Sequence, residues 1–124
     1  MVQCLFWPCL FQAGTFIMTR GSVWWVEFDP AVGTEINKTR PAVIVSNDTA
    51  NKFLARVVVI PLTSNISRIY PGEAVITING NKSKAMTDQI MSADKSRLKT
   101  KIAELSNNDM ISIETAMKRF FNLL

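Results

Sequence analysis

The sequence contains no histidine. That absence removes the side chain that most often moves protons near neutral pH. It also excludes zinc sets that need imidazole and nucleophile pairs of the Ser-His or Cys-His kind. Cysteine is scarce: Cys4 and Cys9 are the two in the chain, and two thiolates cannot complete a four-ligand zinc site. Neither a metal nor a cofactor is expected. Nothing else resembles a disulfide-stapled secreted domain, so a reducing, cytoplasmic setting is expected.

Charge is missing from one end. All fourteen Lys and Arg residues lie from Arg20 onward, and the first seventeen residues, MVQCLFWPCLFQAGTFI, carry no charge at all. A secretory leader would open with a positive segment, and Pro8, Gln12 and Gly14 interrupt the apolar run. The run is also short for a membrane span of about 20 apolar residues. No membrane association is expected. Met18 is a candidate natural start. Residues 1–17 then read as an apolar extension: an artefact of start-site choice, a disordered tail, or a segment packed on a domain formed by residues 18–124.

The 124 residues are enough for one domain with a small core. Hydrophobic residues make up 48% and charged residues 19%, a globular composition. The net charge of +4 suits a polyanionic partner such as nucleic acid, although many small soluble proteins are equally basic.

Short runs rich in β-branched and aromatic residues predict strands at Ser22–Phe28, Pro41–Ser46 and Arg56–Leu62. Asp29-Pro30 ends the first, and a polar loop over Ala31–Thr39 follows. Pro61 predicts an edge or bulge at the end of the third run. Glu73–Ile78 alternates, with Ala74, Ile76 and Ile78 on one face. Asn79-Gly80 predicts a tight hairpin turn, because both residues tolerate positive φ. Lys84–Met86 is the expected return strand, and Gln89–Ser92 a further short one. A single helical turn capped by Asp94 is expected over Asp94–Leu98.

The period then changes. Met110, Ile113, Met117, Phe120, Phe121 and Leu124 recur at helical spacing after a capping box, Ser106-x-x-Asp109. This predicts an amphipathic C-terminal helix whose Met/Phe stripe is core. The expected fold class is mainly β with one C-terminal helix, a small barrel-like antiparallel sheet.

Five segments in order carry a resemblance. Arg20-Gly21-Ser22-Val23-Trp24 resembles the opening motif of MazF/PemK/Kid toxins, and Asp29-Pro30-Ala31-Val32-Gly33-Thr34-Glu35 resembles the loop that follows it. Lys38-Thr39-Arg40-Pro41 with Ala42–Asp48, Val59-Ile60-Pro61-Leu62-Thr63-Ser64, and Asp88-Gln89-Ile90 with Asp94–Leu98 resemble the remaining motifs. Ser22 stands where the family more often has Asp or Glu, and Met91 where it often has Arg. The resemblance implies an SH3-like barrel of the CcdB/PemK toxin type and a symmetric homodimer. It also implies a metal-independent endoribonuclease acting on single-stranded RNA. A cognate antitoxin with an acidic disordered tail would occlude the RNA groove, and the toxin–antitoxin complex would bind DNA as an autoregulator.

Metal-free RNA cleavage uses the 2′-OH as nucleophile against the adjacent phosphorus and expels the 5′-oxygen. The protein must stabilise the charge that develops on the phosphorane oxygens. Arg40 is the first candidate, because a guanidinium is a planar fork that matches two phosphate oxygens. The resemblance also gives it an acid/base role, which sits awkwardly with an arginine that ordinarily stays protonated. Thr63 is the second catalytic candidate, a strand-end hydroxyl able to donate to a nonbridging oxygen.

Thr34, Glu35 and Lys38 lie in the loop that the family uses to cover RNA and meet antitoxin. Ser64 adjoins Thr63 within the same motif. Asn47 and Gln89 are amides able to read base edges, and are equally able to serve the fold. Trp24 and Trp25, adjacent on a strand, face opposite sides. One belongs to the core and the other is free to stack a base or meet a second subunit. Two readings from other classes compete: a gyrase-poisoning toxin of the CcdB type, and an SH3-like binding module without catalysis.

Overall fold

The computed structural model describes residues 18–28 and 39–123. The apolar extension 1–17, Thr34, Glu35, Lys38 and Leu124 lie outside the described residues. Among the described residues seven strands form one antiparallel sheet: β1 Ser22–Glu27, β2 Thr39–Ile44, β3 Arg56–Thr63, β4 Ala74–Ile78, β5 Asn81–Ala85, β6 Met91–Asp94 and β7 Leu98–Glu104. The order is β4-β5-β3-β2-β1-β7, with β6 pairing to β3 off that path. Helix α1, Asp48–Phe53, joins β2 to β3, and helix α2, Asn107–Phe120, ends the fold. The architecture is a curled half-barrel sheet with a C-terminal helix.

Strands β1 to β3 contribute buried side chains to both faces, although Trp25 and Glu27 of β1 are exposed. Val23, Val43, Val45, Ile60 and Leu62 point to one side, where Ala74, Ile76 and Ala85 of the β4–β5 hairpin and Met110, Ile113 and Ala116 of α2 complete a core. Trp24, Val26, Ala42, Ile44, Val57 and Val59 point to the other, joined by Phe28, Ala93 and Leu98. No described helix contributes to this second core; curling brings β6 and β7 over it, linked by the 3-10 turn Lys95–Arg97. Burial on both faces is why these strands read as continuous apolar runs rather than alternating ones.

Caps and turns follow local chemistry. Ser106 caps α2, its hydroxyl accepting from Asp109 N, and Asp94 caps the Lys95–Arg97 turn by accepting from Ser96 N. Asn79 and Gly80 adopt positive φ, 49° and 85°, as the β4–β5 hairpin requires. Gly21 has φ +92 and bonds in both directions, its N–H to Ile44 O and its C=O to Leu105 N. Arg20 fastens the same corner. Its backbone N donates to Asp48 at 2.7 Å, Nε to Val45 O at 3.1 Å, and its terminal nitrogen to Glu114 at 2.8 Å.

Several expectations need correction. Pro61 is no edge residue: it is buried inside β3 and pairs with Ala42. It sits where β3 changes partner on its other side, from β6 (ending at Val59) to β5 (starting at Leu62), so its missing N–H falls in the gap between two ladders. The segment Gln89–Ser92 splits into a 3-10 turn, Thr87–Gln89, and β6, which starts at Met91. The helical stripe is core in its first half only. Met110, Ile113 and Ala116 are buried, whereas Phe120 and Phe121 remain 46% and 44% exposed. Helix α1 and strand β7 were not anticipated.

Ile113 is fully buried where α2 meets the first core. Ile113→Ala should therefore lower unfolding free energy by about 2–5 kcal/mol, measured by urea denaturation. A loss below about 1 kcal/mol would mean that α2 contributes little to the core.

Candidate active site

The register of the central strands decides where Arg40 and Thr63 meet. β2 and β3 pair as Ala42↔Pro61, Val43↔Ile60 and Ile44↔Val59. Carried two residues further, the same register sets Arg40 opposite Thr63 at the sheet's end. Opposed residues of antiparallel strands share a face, and here it is the face of Ala42 and Ile44, the second core. On its other side Arg40 pairs with Val26. A cation and a hydroxyl 23 positions apart in sequence therefore cap the open end of one apolar core.

Each group has spare bonding capacity. Arg40 is half-buried, and its Nε is buried with no hydrogen-bond partner among the described residues. Leaving a buried donor unmade costs about 1–3 kcal/mol, which is reasonable only where a ligand completes it. Thr63 Oγ1 accepts from Asn65 N at 3.3 Å. That bond uses a lone pair and leaves the hydroxyl hydrogen to donate elsewhere.

The remaining sequence candidates divide. Ser64 follows Thr63 and is exposed. Gln89 ends the turn that starts after Met86, whose N–H bonds to Pro61 O at 2.9 Å. This brings the turn carrying Gln89 alongside β3, between the positions of Pro61 and Val59. Asn47 goes elsewhere. It follows the far end of β2, about 20 Å from Arg40 at strand spacing. There its side-chain oxygen caps α1 by accepting from Ala50 N at 2.8 Å. The geometry therefore gives Asn47 a structural task and does not bring it to the pair. Of the two tryptophans, Trp24 is the core residue, 4% exposed, with its indole donating to the buried Ser22 hydroxyl at 3.0 Å. Trp25 is 41% exposed and faces the other way.

Two features beside the pair had no sequence signal. One is a polar groove of about 610 Å³ lined by Glu27, Arg56, Met91, Ser92, Asp94, Ser96, Arg97 and Lys99. Glu27 is the register partner of Thr39, so the groove reaches the same end of β1 and β2 that carries Arg40, without Arg40 or Thr63 among its lining residues. Within it, hydrogen bonds from the Ser96 backbone and then its side chain hold the Asp94 carboxyl below its usual range. The other is Lys84, buried although charged, and the register partner of Thr63 on β5. Both assemble residues from distant segments, so local pattern could not show them. Among the described residues no three Cys, Asp or Glu side chains gather as a metal-binding group.

The family model for the PemK-like, MazF-like toxin of type II toxin-antitoxin systems matches residues 19–121. The chain belongs to this toxin family. The endoribonuclease MazF9 of Mycobacterium tuberculosis is 38% identical over 116 residues, covering 86% of this chain and 98% of that protein. MazF from Deinococcus radiodurans has the same fold, with TM-score 0.74 at 23% identity over 85% of this chain and 96% of the other. So does a mycobacterial endoribonuclease solved in complex with its cognate antitoxin, with TM-score 0.71 at 24% identity, covering 86% and 96% of the two chains.

Membership accounts for the order of the five motifs, and the structure accounts for one departure from them. Ser22 is fully buried, donating to Thr19 O while accepting from the Trp24 indole. A carboxylate could not make the first of those bonds. At the second departure, Met91 lies on β6 opposite Val59, 38% exposed in the polar groove.

An orphaned donor predicts a stability trade. Arg40→Met keeps an unbranched stem and removes the unmade hydrogen bond, so it should raise unfolding free energy by about 1 kcal/mol. A fall of more than about 2 kcal/mol in urea denaturation would show that the guanidinium serves the fold.

Proposed function

We propose that this toxin is a sequence-selective endoribonuclease that cuts single-stranded RNA through the RNA's own 2′-hydroxyl, without metal. The observation that carries the reading is the juxtaposition of Arg40 and Thr63 at one strand end, with the Arg40 Nε buried and unpartnered among the described residues. Attack of the 2′-oxygen on phosphorus adds negative charge to the nonbridging oxygens before the 5′-oxygen departs. Arg40 donates to that charge from a fixed position, an effect worth several kcal/mol in a preorganised site. Thr63 donates its free hydroxyl hydrogen to a second oxygen. The 2′-hydroxyl proton passes to water and the departing 5′-oxygen takes a proton from water, so the products are a 2′,3′-cyclic phosphate and a 5′-hydroxyl.

The name of the Mycobacterium tuberculosis relative, an endoribonuclease that this chain spans almost completely, supports the activity. A gyrase poison or a non-catalytic module would leave the unmade bond of Arg40 without a purpose.

Ser64 and Gln89 serve as RNA contacts. Thr34, Glu35 and Lys38, in the sequence just before β2, contact RNA and meet an antitoxin in this reading. The likeness to a toxin solved with its cognate antitoxin supports a partner of that kind, here one with an acidic disordered tail that competes for the basic groove. The working unit in this reading is a cytoplasmic homodimer, with the exposed Trp25 on β1 available to the second subunit. No helix among the described residues is long and apolar enough to cross a membrane.

Purified protein should cleave single-stranded RNA in EDTA and leave cyclic phosphate or 3′-phosphate ends. Arg40→Ala should reduce the rate by at least ~10²-fold and Thr63→Val by roughly tenfold or more. Intact RNA across a broad panel of sequences would overturn the proposal, and an unchanged rate in Thr63→Val would reject its phosphate role.

The extension 1–17 lies before the matched region, which starts at residue 19. The chain from Met18 should therefore keep its specific activity and oligomeric state. An inactive or monomeric product, seen by RNA cleavage and size-exclusion chromatography, would assign the extension a role.

A further inference from the structure

Lys84 and Glu73 form an ion pair at 3.0 Å with both side chains only 9% exposed. The pair gathers one loop, residues 64–73, which links β3 to β4. The Lys84 ammonium also donates to Arg68 O at 2.7 Å and lies 5.2 Å from the centre of the Tyr70 ring. The same Glu73 oxygen accepts from Tyr70 N at 2.8 Å, and Glu73 N donates to Tyr70 O at 3.1 Å. Three loop positions are thus tied to one nitrogen on β5.

Stability is a poor reason for such a pair. Desolvating two charges offsets most of their attraction, and an apolar pair of similar volume often holds a fold as well. Its location offers a better reason. Lys84 is the register partner of Thr63. At the near end of the loop, Asn65 N donates to Thr63 Oγ1, while Asn65 Oδ1 accepts from Ser67 N at 3.3 Å and Ser67 Oγ at 2.8 Å. The loop is therefore bonded to Thr63 at one end and to the cross-strand neighbour of Thr63 at the other.

We infer that the Lys84–Glu73 pair is a positioning device for RNA cleavage. By fixing Arg68 and Tyr70 it holds the loop in the form that places the Asn65 N–H on Thr63 Oγ1. That contact turns the Thr63 hydroxyl hydrogen outward. Lys84 and Glu73 act through Thr63 and need no contact with RNA. The inference rests on the phosphate-donor role proposed for Thr63, and it assigns work to two residues outside the sequence motifs.

The test uses the full chain with Lys84→Met, Glu73→Leu, the double variant and Lys84→Arg. Melting temperature, kcat and KM on one RNA, and amide hydrogen exchange at Asn65 and Tyr70 are the readouts. Each apolar single variant strands a buried charge, so both stability and kcat should fall. The double variant should regain wild-type melting while its kcat stays about tenfold down, KM moves less than about twofold, and both amides exchange faster. Lys84→Arg keeps a donor for Arg68 O and Glu73 and should restore most of kcat.

A double variant with wild-type kcat, or variants whose kcat simply follows melting temperature, would overturn the inference. Wild-type protein that cuts no RNA would sink the proposed function instead. In that event exchange alone decides the clamp, and unchanged protection of Asn65 in the double variant refutes it.

Discussion

Strand β3 is bonded along both edges, and the rest of the molecule is arranged around that fact. One edge pairs with β2, while the other pairs first with β6 and then with β5. A strand with one continuous neighbour on that edge would extend a single open, twisted sheet. Here the second edge is shared by two strands that lead to different cores. β6 turns toward β7 and closes over Trp24, Val26 and Val59. β5 leads back through β4 to the face covered by α2. The change of partner needs a position without a ladder bond, and Pro61 supplies it, since it has no N–H to leave unmade. Its carbonyl still accepts from Met86 N, so the chain leaving β5 is held at that point.

The same constraint explains what could be read in advance. β1, β2 and β3 were legible because each carries a run of β-branched or aromatic residues that is mostly buried. The Asn79-Gly80 turn and the Ser106 cap were legible because each depends on two to four adjacent residues. β7 was not legible. Its sequence LKTKIAE is mostly exposed on an outer strand, and what makes it a strand is pairing to β1 with two register shifts. α1 is a six-residue helix with one buried side chain, Asn51, too short for a periodic signal. Pro61 departs from proline's usual confinement to edges because that confinement assumes a continuous neighbouring strand, which β3 lacks between Val59 and Leu62.

The site was legible in part. Arg40 and Thr63 stand out by motif, but their meeting depends on the β2–β3 register, which the sequence does not display. Asn47 shows the converse. It occupies a motif position, yet the structure employs its side-chain oxygen as a helix cap at the opposite end of β2. Lys84 and Glu73 belong to no motif. A lysine on a hairpin strand reads as solvated, and only the folded loop reveals that it is buried and paired.

The proposed site has no histidine, so its effect has to come from position rather than from easily moved protons. Arginine and threonine are modest groups in water, where hydration competes for every donor. They become useful when the fold fixes them, withholds alternative partners and lowers the local dielectric. Each condition has a visible source here. The pairing of Arg40 with Val26 seats it at the rim of an apolar core, and its Nε has no partner among the described residues. The Asn65 N–H occupies the accepting side of Thr63. The fold carries the cost of the orphaned donor through two cores built from other residues. A single-core sheet of this size would have little stability to spare for it.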